Sequence, residues 1–329
     1  MTNKKYNIII FIAIIIILVI CLHFIIFHKE SKDKEIRKIE VISKYNNPII
    51  PNGFHSVDTE DAKWIKQEDG TIQGWNNGLV IEDEKGNQFV WVPINIDNLN
   101  YHDYVGNNSK YIKEKLNMNN DEERQIIKYG GFYIARYEAS RPLELEDEME
   151  NIDVSSNDIE GIPLSKKDRI PWNYISFEKA QENAEKMYQN ENLHSGLLTQ
   201  KQYQGIMQWL NSSGYDVYEN SSQFGNYSNV GFEFSGYYSI DYGKSYQYGK
   251  NVEKVRYNMI LSTGATKRNM TNNIYDLAGN LMEYVIGDKS NIICNGGYYD
   301  YIAREAFSSM GWTGEPSDKI GFRVVLILP

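Results

Sequence analysis

The sequence predicts an α+β domain with two main helices and long irregular loops, preceded by one transmembrane helix. Three observations predict it. Short runs of β-branched and aromatic residues are bounded by turn residues. Two segments carry apolar residues at helical spacing behind a capping residue. An apolar run of 20 residues, Ile8 to Phe27, precedes them all.

That run carries no formal charge at neutral pH. At 1.5 Å per residue it spans roughly 30 Å, the hydrocarbon thickness of a bilayer. It is too long for the core of a cleaved signal peptide, and no small-residue cleavage site follows. Cys21 is no lipoprotein cysteine, because Ile20 stands where a small residue is needed. The reading is an uncleaved, single-pass signal-anchor. Lys4 and Lys5 lie before it; Lys29, Lys32, Lys34, Arg37 and Lys38 lie after it. Basic residues counted alone place the domain inside. The short N-terminal flank, residues 1–7, favours outside, and an extracytoplasmic domain is the expectation. Residues 28–48 form a charged juxtamembrane stalk, and residues 49–329 form the globular part, of a size for one large domain or two small ones.

Along that part, Leu79 to Ile81 and Gln88 to Val92 read as strands, joined by a hairpin loop, Asp83 to Asn87, that contains Gly86. Gly130 to Glu138 reads as another strand. Leu143 to Gly161 is acidic and reads as an exposed loop. Ser176 caps a helix on which Phe177, Ala180, Ala184, Met187 and Tyr188 recur at helical spacing. Thr199 and Gln202 form a capping box for a second. Its stripe of Tyr203, Ile206, Met207 and Leu210 reads as core, and Asn211 to Gly214 ends it. Residues 212–262 are rich in Gly, Ser, Asn and Tyr. They predict long loops and short irregular strands, with rigid aromatics among small polar residues as on adaptable recognition surfaces. The plainer alternative is a decorated surface loop with no partner.

The net charge of -10 argues against a nucleic-acid partner. Tyrosines number 25, against 12 Phe and 6 Trp. Cys294 is the sole thiol outside the apolar run, so no intrachain disulfide forms within the globular part. Between Ile293 and Asn295 on a predicted strand, it reads as a buried small hydrophobe rather than a nucleophile. His28, His55, His102 and His194 are scattered without ligand spacing, and His194 reads as a surface residue. No Walker loop, Gly-x-Ser-x-Gly or Cys-x-x-Cys is present. Arg323, among apolar neighbours, needs a buried carboxylate. Glu138 is the first candidate and Glu283 the second. The Gly296-Gly297 pair allows close backbone approach beside a strand.

Five stretches carry a resemblance. They are Phe89 to Pro93, Gly131 to Glu138, Pro171 to Ala180, Leu197 to Tyr203, and Asn273 to Tyr284 together with Gly296-Gly297 and Gly321 to Arg323. In this order they resemble landmarks of the formylglycine-generating enzyme, or sulfatase-modifying factor, family. The likeness runs from Ile50 to Leu328. It implies a C-type-lectin-like core of twisted antiparallel strands with two flanking helices. It also implies a structural calcium ion held by Asp276, Gly279, Leu281 and Glu283, a set whose oxygens suit a hard cation. The family's catalytic members bind copper through two cysteines after Gly-Gly. Laid on this sequence without gaps, those positions are Tyr301 and Ala306, neither of which is a thiolate. The iron-dependent branch needs His-x-x-x-His-x-Glu, which is absent. Copper and iron are therefore not expected.

The function expected is a non-catalytic recognition or structural module binding a peptide, glycan or protein, with Tyr298, Tyr299, Tyr301 and Trp312 as candidate contacts. The alternatives are an oxidoreductase with an unrecognised site and a component of a surface or phage-derived assembly. High Ile, Lys and Asn with low Pro fit an AT-rich bacterial gene.

The apolar run makes a direct prediction. Alkaline carbonate extraction of cells expressing the full chain should leave it in the membrane pellet. A recovered form beginning after Phe27 would contradict an uncleaved anchor.

Overall fold

Strands that are apolar along nearly their whole length belong to sheets covered on both faces, and the three strands at the centre of the main sheet, Gln88–Pro93, Gly131–Ala135 and Val324–Ile327, are of this kind. The computed structural model describes residues 48–58, 65–66, 72–94, 101–104, 109–112, 125–126, 128–142, 161–255, 258–287 and 291–328. The run Ile8 to Phe27, the stalk and the acidic stretch 143–160 lie outside these residues. Among the described residues, no helix is long and apolar enough to cross a membrane. The larger unit of the chain is Ile50–Pro329.

Its strands and helices, in chain order, begin with β1 (Phe54–Ser56), β2 (Val80–Asp83), β3 (Gln88–Pro93) and β4 (Gly131–Ala135). Helix α1 (Phe177–Lys186), β5 (Gln189–Asn190), β6 (Leu193–Leu197) and helix α2 (Gln200–Ser212) come next. The remainder are β7 (Phe232–Ser239), β8 (Gln247–Lys254), β9 (Ile260–Leu261), β10 (Met282–Ile286), β11 (Ile292–Asn295), β12 (Ser309–Gly311), β13 (Ile320–Gly321) and β14 (Val324–Ile327). Small two-stranded pairs occur at 65–66 with 72–73, 101–104 with 109–112, and 270–271 with 274–275.

The main sheet has seven strands in the order β1-β2-β3-β4-β14-β6-β5, antiparallel throughout. The last strand of the chain thus lies inside the sheet, with Val325 opposite Ile134 on one side and Gly196 on the other. Alternation sorts the side chains. Val90, Val92, Phe132, Ile134, Val325 and Ile327 face one core, with Ile206, Met207 and Leu210 of α2. Phe89, Trp91, Tyr133, Ala135, Val324 and Leu326 face the other, with Ala180 and Ala184 of α1 and its C-cap Met187. One helix covers each face. A four-stranded sheet, β12-β11-β10-β13, contains one parallel pair, β10 with β13. A three-stranded sheet, β8-β7-β9, completes a mixed α+β unit made mostly of strands.

Local signals explain both helix starts. Ser176 accepts from the Lys179 amide, and Thr199 and Gln202 close their box in both directions. The loop Asp83 to Asn87 is held by Asp83, whose Oδ1 accepts from the amides of Lys85 and Asn87. Two expectations need correction. The strand predicted over Gly130 to Glu138 is shorter, Gly131–Ala135. Beyond it the chain bends at Arg136 and Tyr137: Arg136 stays bonded to Gln88 of β3 while its Nε donates to the Asn273 carbonyl, and Glu138 turns to the Leu281 amide outside the sheet. Residues 212–262, expected to hold short irregular strands, contain a hairpin of two eight-residue strands, β7 and β8. Phe232, Phe234, Tyr237 and Tyr248 supply the apolar surface there that aliphatics supply elsewhere. A register shift between Phe234 and Gly236 absorbs the glycine-rich spacing.

Ile206 sits in the middle of the α2 stripe, fully buried against the main sheet. Ile206→Ala should cost about 2–5 kcal/mol in urea denaturation. A loss below about 1 kcal/mol would contradict the packing described.

Candidate functional site

The densest polar group of the unit is buried. Arg323, between β13 and β14, is inaccessible to solvent. Its Nε and Nη2 donate to Glu283 Oε1 of β10 at 2.8 and 2.5 Å. Nη1 donates to the carbonyl of Ala135 at the end of β4, and Nη2 also to that of Tyr275. Glu283, the second candidate, is therefore the partner of Arg323. Glu138, the first, turns elsewhere: its Oε1 accepts from the Leu281 amide and its Oε2 from Asn280 Nδ2, at 3.0 and 2.6 Å. Asn280 in turn accepts from Asn226 Nδ2 and from the Leu261 amide. Sequence reading missed both asparagines. The only sign of Asn280 was its place after a glycine in a tight turn, where its φ is 57°.

Burial raises the Glu138 carboxyl, and the charges of Asp276 and Glu283 raise it further. Burial also raises Asp276. Three carboxyl groups thus share one guanidinium in this interior.

The expected calcium ligands lie within the same cluster. Asp276 Oδ2 accepts from the Gly264 amide and Oδ1 from Asn269 Nδ2. Glu283 Oε1 is taken up by Arg323, leaving its Oε2 as the one buried side-chain oxygen of the set with no hydrogen-bond partner. Gly279 (φ 71°) packs its backbone against Asn226, where a Cβ would stand 2.3 Å from the Asn226 carbonyl oxygen. The Leu281 amide donates to Glu138 Oε1. Among the described residues, no three of His, Cys, Asp and Glu are placed to hold a metal. The carboxylates of Asp276 and Glu283, hydrogen-bonded as they are within the chain, do not fit a calcium ion.

The candidate contacts divide. Tyr299 is core, 1% exposed, with its hydroxyl donating to Asp318 at 2.5 Å. It is thus not a surface contact, a correction to the expectation. Tyr298 and Tyr301 are half-buried and meet edge to face, with centroids 5.1 Å apart. Each ring carries a cation, Lys319 over Tyr298 and Arg304 over Tyr301. Asp300, Tyr301, Ile302, Ala303 and Arg304 line an open depression of about 560 Å³. Trp312 stands apart from it, half-buried, in a separate depression of about 780 Å³ with Ile292 and Ile293. Ala306 is buried. Cys294 is buried on β11, its thiol pushed up to about 12 by that burial, so it is no nucleophile. His194 is exposed on β6, as expected.

Other large apolar side chains are exposed where the sequence reading placed residues only loosely. Ile240, Tyr242, Tyr248 and Val255, on and beside the β7–β8 hairpin, are each at least half exposed. Side-chain hydrogen bonds close the hairpin tip. Asp241 accepts from both the amide and the hydroxyl of Ser245 and from Ser239, whose own oxygen accepts from the Gly243 amide. Burial alone would raise the Asp241 carboxyl, but these bonds together outweigh it and lower the group. Behind the tip, Asn173 donates to the Tyr242 carbonyl.

At the hairpin base, Lys254 is fully buried, with no carboxylate partner among the described residues. Its Nζ donates to the carbonyls of Tyr227 and Val230, at 2.5 and 2.9 Å, and it lies 5.2 Å from the Phe232 ring centre. The loop 221–230 that it pins holds the depression in turn, because Ser221 and Ser228 donate to the carbonyls of Arg304 and Tyr301. Hairpin, loop and depression are therefore mechanically joined.

No protein-family model matches this sequence, and comparison with curated proteins gives no significant match. Among solved structures, that of CarF is similar at 15% identity, covering 60% of this chain and 87% of that one with a TM-score of 0.35. At that score the likeness carries no weight for fold or function.

Lys254 yields a pH prediction. Burial first, then the charge of Arg268, pushes its ammonium down to about 8. The unfolded value is about 10.4. Between these limits the unfolded chain binds more protons at this group, so its own contribution to stability rises with pH. Burial of Cys294 and of several tyrosines acts in the opposite direction over the same range, so the test is a difference. In urea denaturation from about pH 8 to 10 the wild type should gain stability relative to Lys254→Met as pH rises. An equal slope in the variant would contradict the assignment.

Proposed function

We propose that Ile50–Pro329 is a non-catalytic recognition module of the C-type-lectin-like, formylglycine-generating-enzyme-like fold, held at a membrane by the run Ile8 to Phe27. Its ligand is a peptide, glycan or protein outside the cytoplasm. The observation that carries this reading is the aromatic surface of the β7–β8 hairpin, with Tyr242 and Tyr248 at least half exposed. Rigid exposed tyrosines supply contact area at low entropic cost, and the bonds around Asp241 fix the tip before any ligand arrives. Tyr298 and Tyr301 extend the surface through loop 221–230.

The chemistry of the site supports a module without catalysis. The positions that resemblance assigns to a copper-binding thiolate pair hold Tyr301 and a buried Ala306. The one thiol of the unit is Cys294, buried and far less acidic than a free cysteine. A fold without its nucleophile does not inherit the reaction.

Glycan and peptide arrays probed with the full chain in detergent test this. The expected result is binding that Tyr242→Ser and Tyr248→Ser weaken by about tenfold or more, with melting unchanged. Binding untouched by both substitutions would remove the hairpin from the site. Conversion of the cysteine in a sulfatase-motif peptide would overturn the non-catalytic reading itself.

A further inference from the structure

We infer that the cation required by the carboxylate-rich turn Asp276 to Glu283 is built into the chain as the guanidinium of Arg323, so that the domain folds without a divalent metal. Four observations carry this. Glu283 Oε1 receives two N–H groups of Arg323, at 2.8 and 2.5 Å, and Arg323 has no access to solvent. A metal ion on the remaining oxygen, Oε2, would share a carboxylate with that guanidinium. Like charges at such separation repel strongly where water is excluded.

Asp276 is spent as well. Its two oxygens each already accept a hydrogen bond from within the chain, from Gly264 and Asn269 at 3.0 and 3.2 Å. Glu138, the third carboxylate, is likewise held at both oxygens, by Leu281 and Asn280. Gly279 has a reason of its own to be glycine. Its backbone lies against that of Asn226 too closely for any side chain, so it needs no role in aiming a carbonyl at an ion.

The guanidinium also does what a structural ion does in such a turn. It ties segments distant in sequence: β4 through the Ala135 carbonyl, the strand pair at 274–275 through the Tyr275 carbonyl, and β10 through Glu283. A planar fork with five donors serves several acceptors at fixed angles, as Lys could not.

The test uses the full chain in detergent, melted in calcium chloride, in magnesium chloride and in EDTA, with bound metal measured on protein purified without chelator. The expected result is melting temperatures equal within about 1 °C and far less than one ion per chain. A calcium site filled a hundredfold above its dissociation constant would raise the melting temperature by about 5 °C or more. Such a rise, lost in Glu283→Gln, would overturn the inference. So would a stoichiometric ion that survives EDTA. Neither result bears on the recognition surface, which the Tyr242 and Tyr248 substitutions test separately.

Discussion

Placing a guanidinium out of reach of water costs several kcal/mol unless charge and hydrogen bonds replace the lost hydration. At Arg323 the replacement is contributed by three separate parts of the chain. Glu283 brings the countercharge from β10, while Ala135 and Tyr275 bring carbonyls from β4 and the strand pair at 274–275. Arg323 itself sits where the chain passes from β13, in the four-stranded sheet, to β14, in the main sheet. The two sheets are thus joined at a point that tolerates no slippage. A one-residue shift of β14 would swap its two sets of side chains between the cores and carry the guanidinium away from its acceptors.

The same polar interior reaches the surface. Glu138 holds Asn280, Asn280 holds Asn226, and Asn226 belongs to loop 221–230. That loop supports Tyr301 and Arg304 on one side and is pinned by Lys254 from the hairpin on the other. The recognition surface proposed above, mounted this way, would need little ordering on contact with a ligand.

Much of this fold was legible in the sequence where signals are local. Ser176, Thr199 and Gln202 declare helix starts within four residues, and the stripe Tyr203, Ile206, Met207, Leu210 declares a buried face through its period alone. Continuous apolar runs such as Phe89 to Val92 marked the central strands. What failed was non-local. That Arg323 needs a carboxylate followed from its neighbours, but the choice between Glu138 and Glu283 depends on which strands adjoin, and that is set by sheet order. The β7–β8 hairpin was hidden because its apolar positions are tyrosines and phenylalanines among glycines, a composition shared with loops. Tyr298 and Tyr299 are adjacent in sequence yet one is half-buried and the other core, since no period links residues outside regular structure. The calcium expectation came from resemblance alone, and the donors around Asp276 and Glu283 lie far away in sequence, at Gly264, Asn269 and Arg323.

The dependence of the two sheets on one ion pair is the central claim, and a double-mutant cycle tests it most directly. Arg323→Met, Glu283→Leu and the double variant would be compared by urea denaturation. Each single substitution should cost about 3–5 kcal/mol, because each strands a buried charge or its carbonyl acceptors. The double variant should recover much of that loss, with a coupling energy of about 2 kcal/mol or more. Additive losses, with coupling below about 0.5 kcal/mol, would contradict the claim.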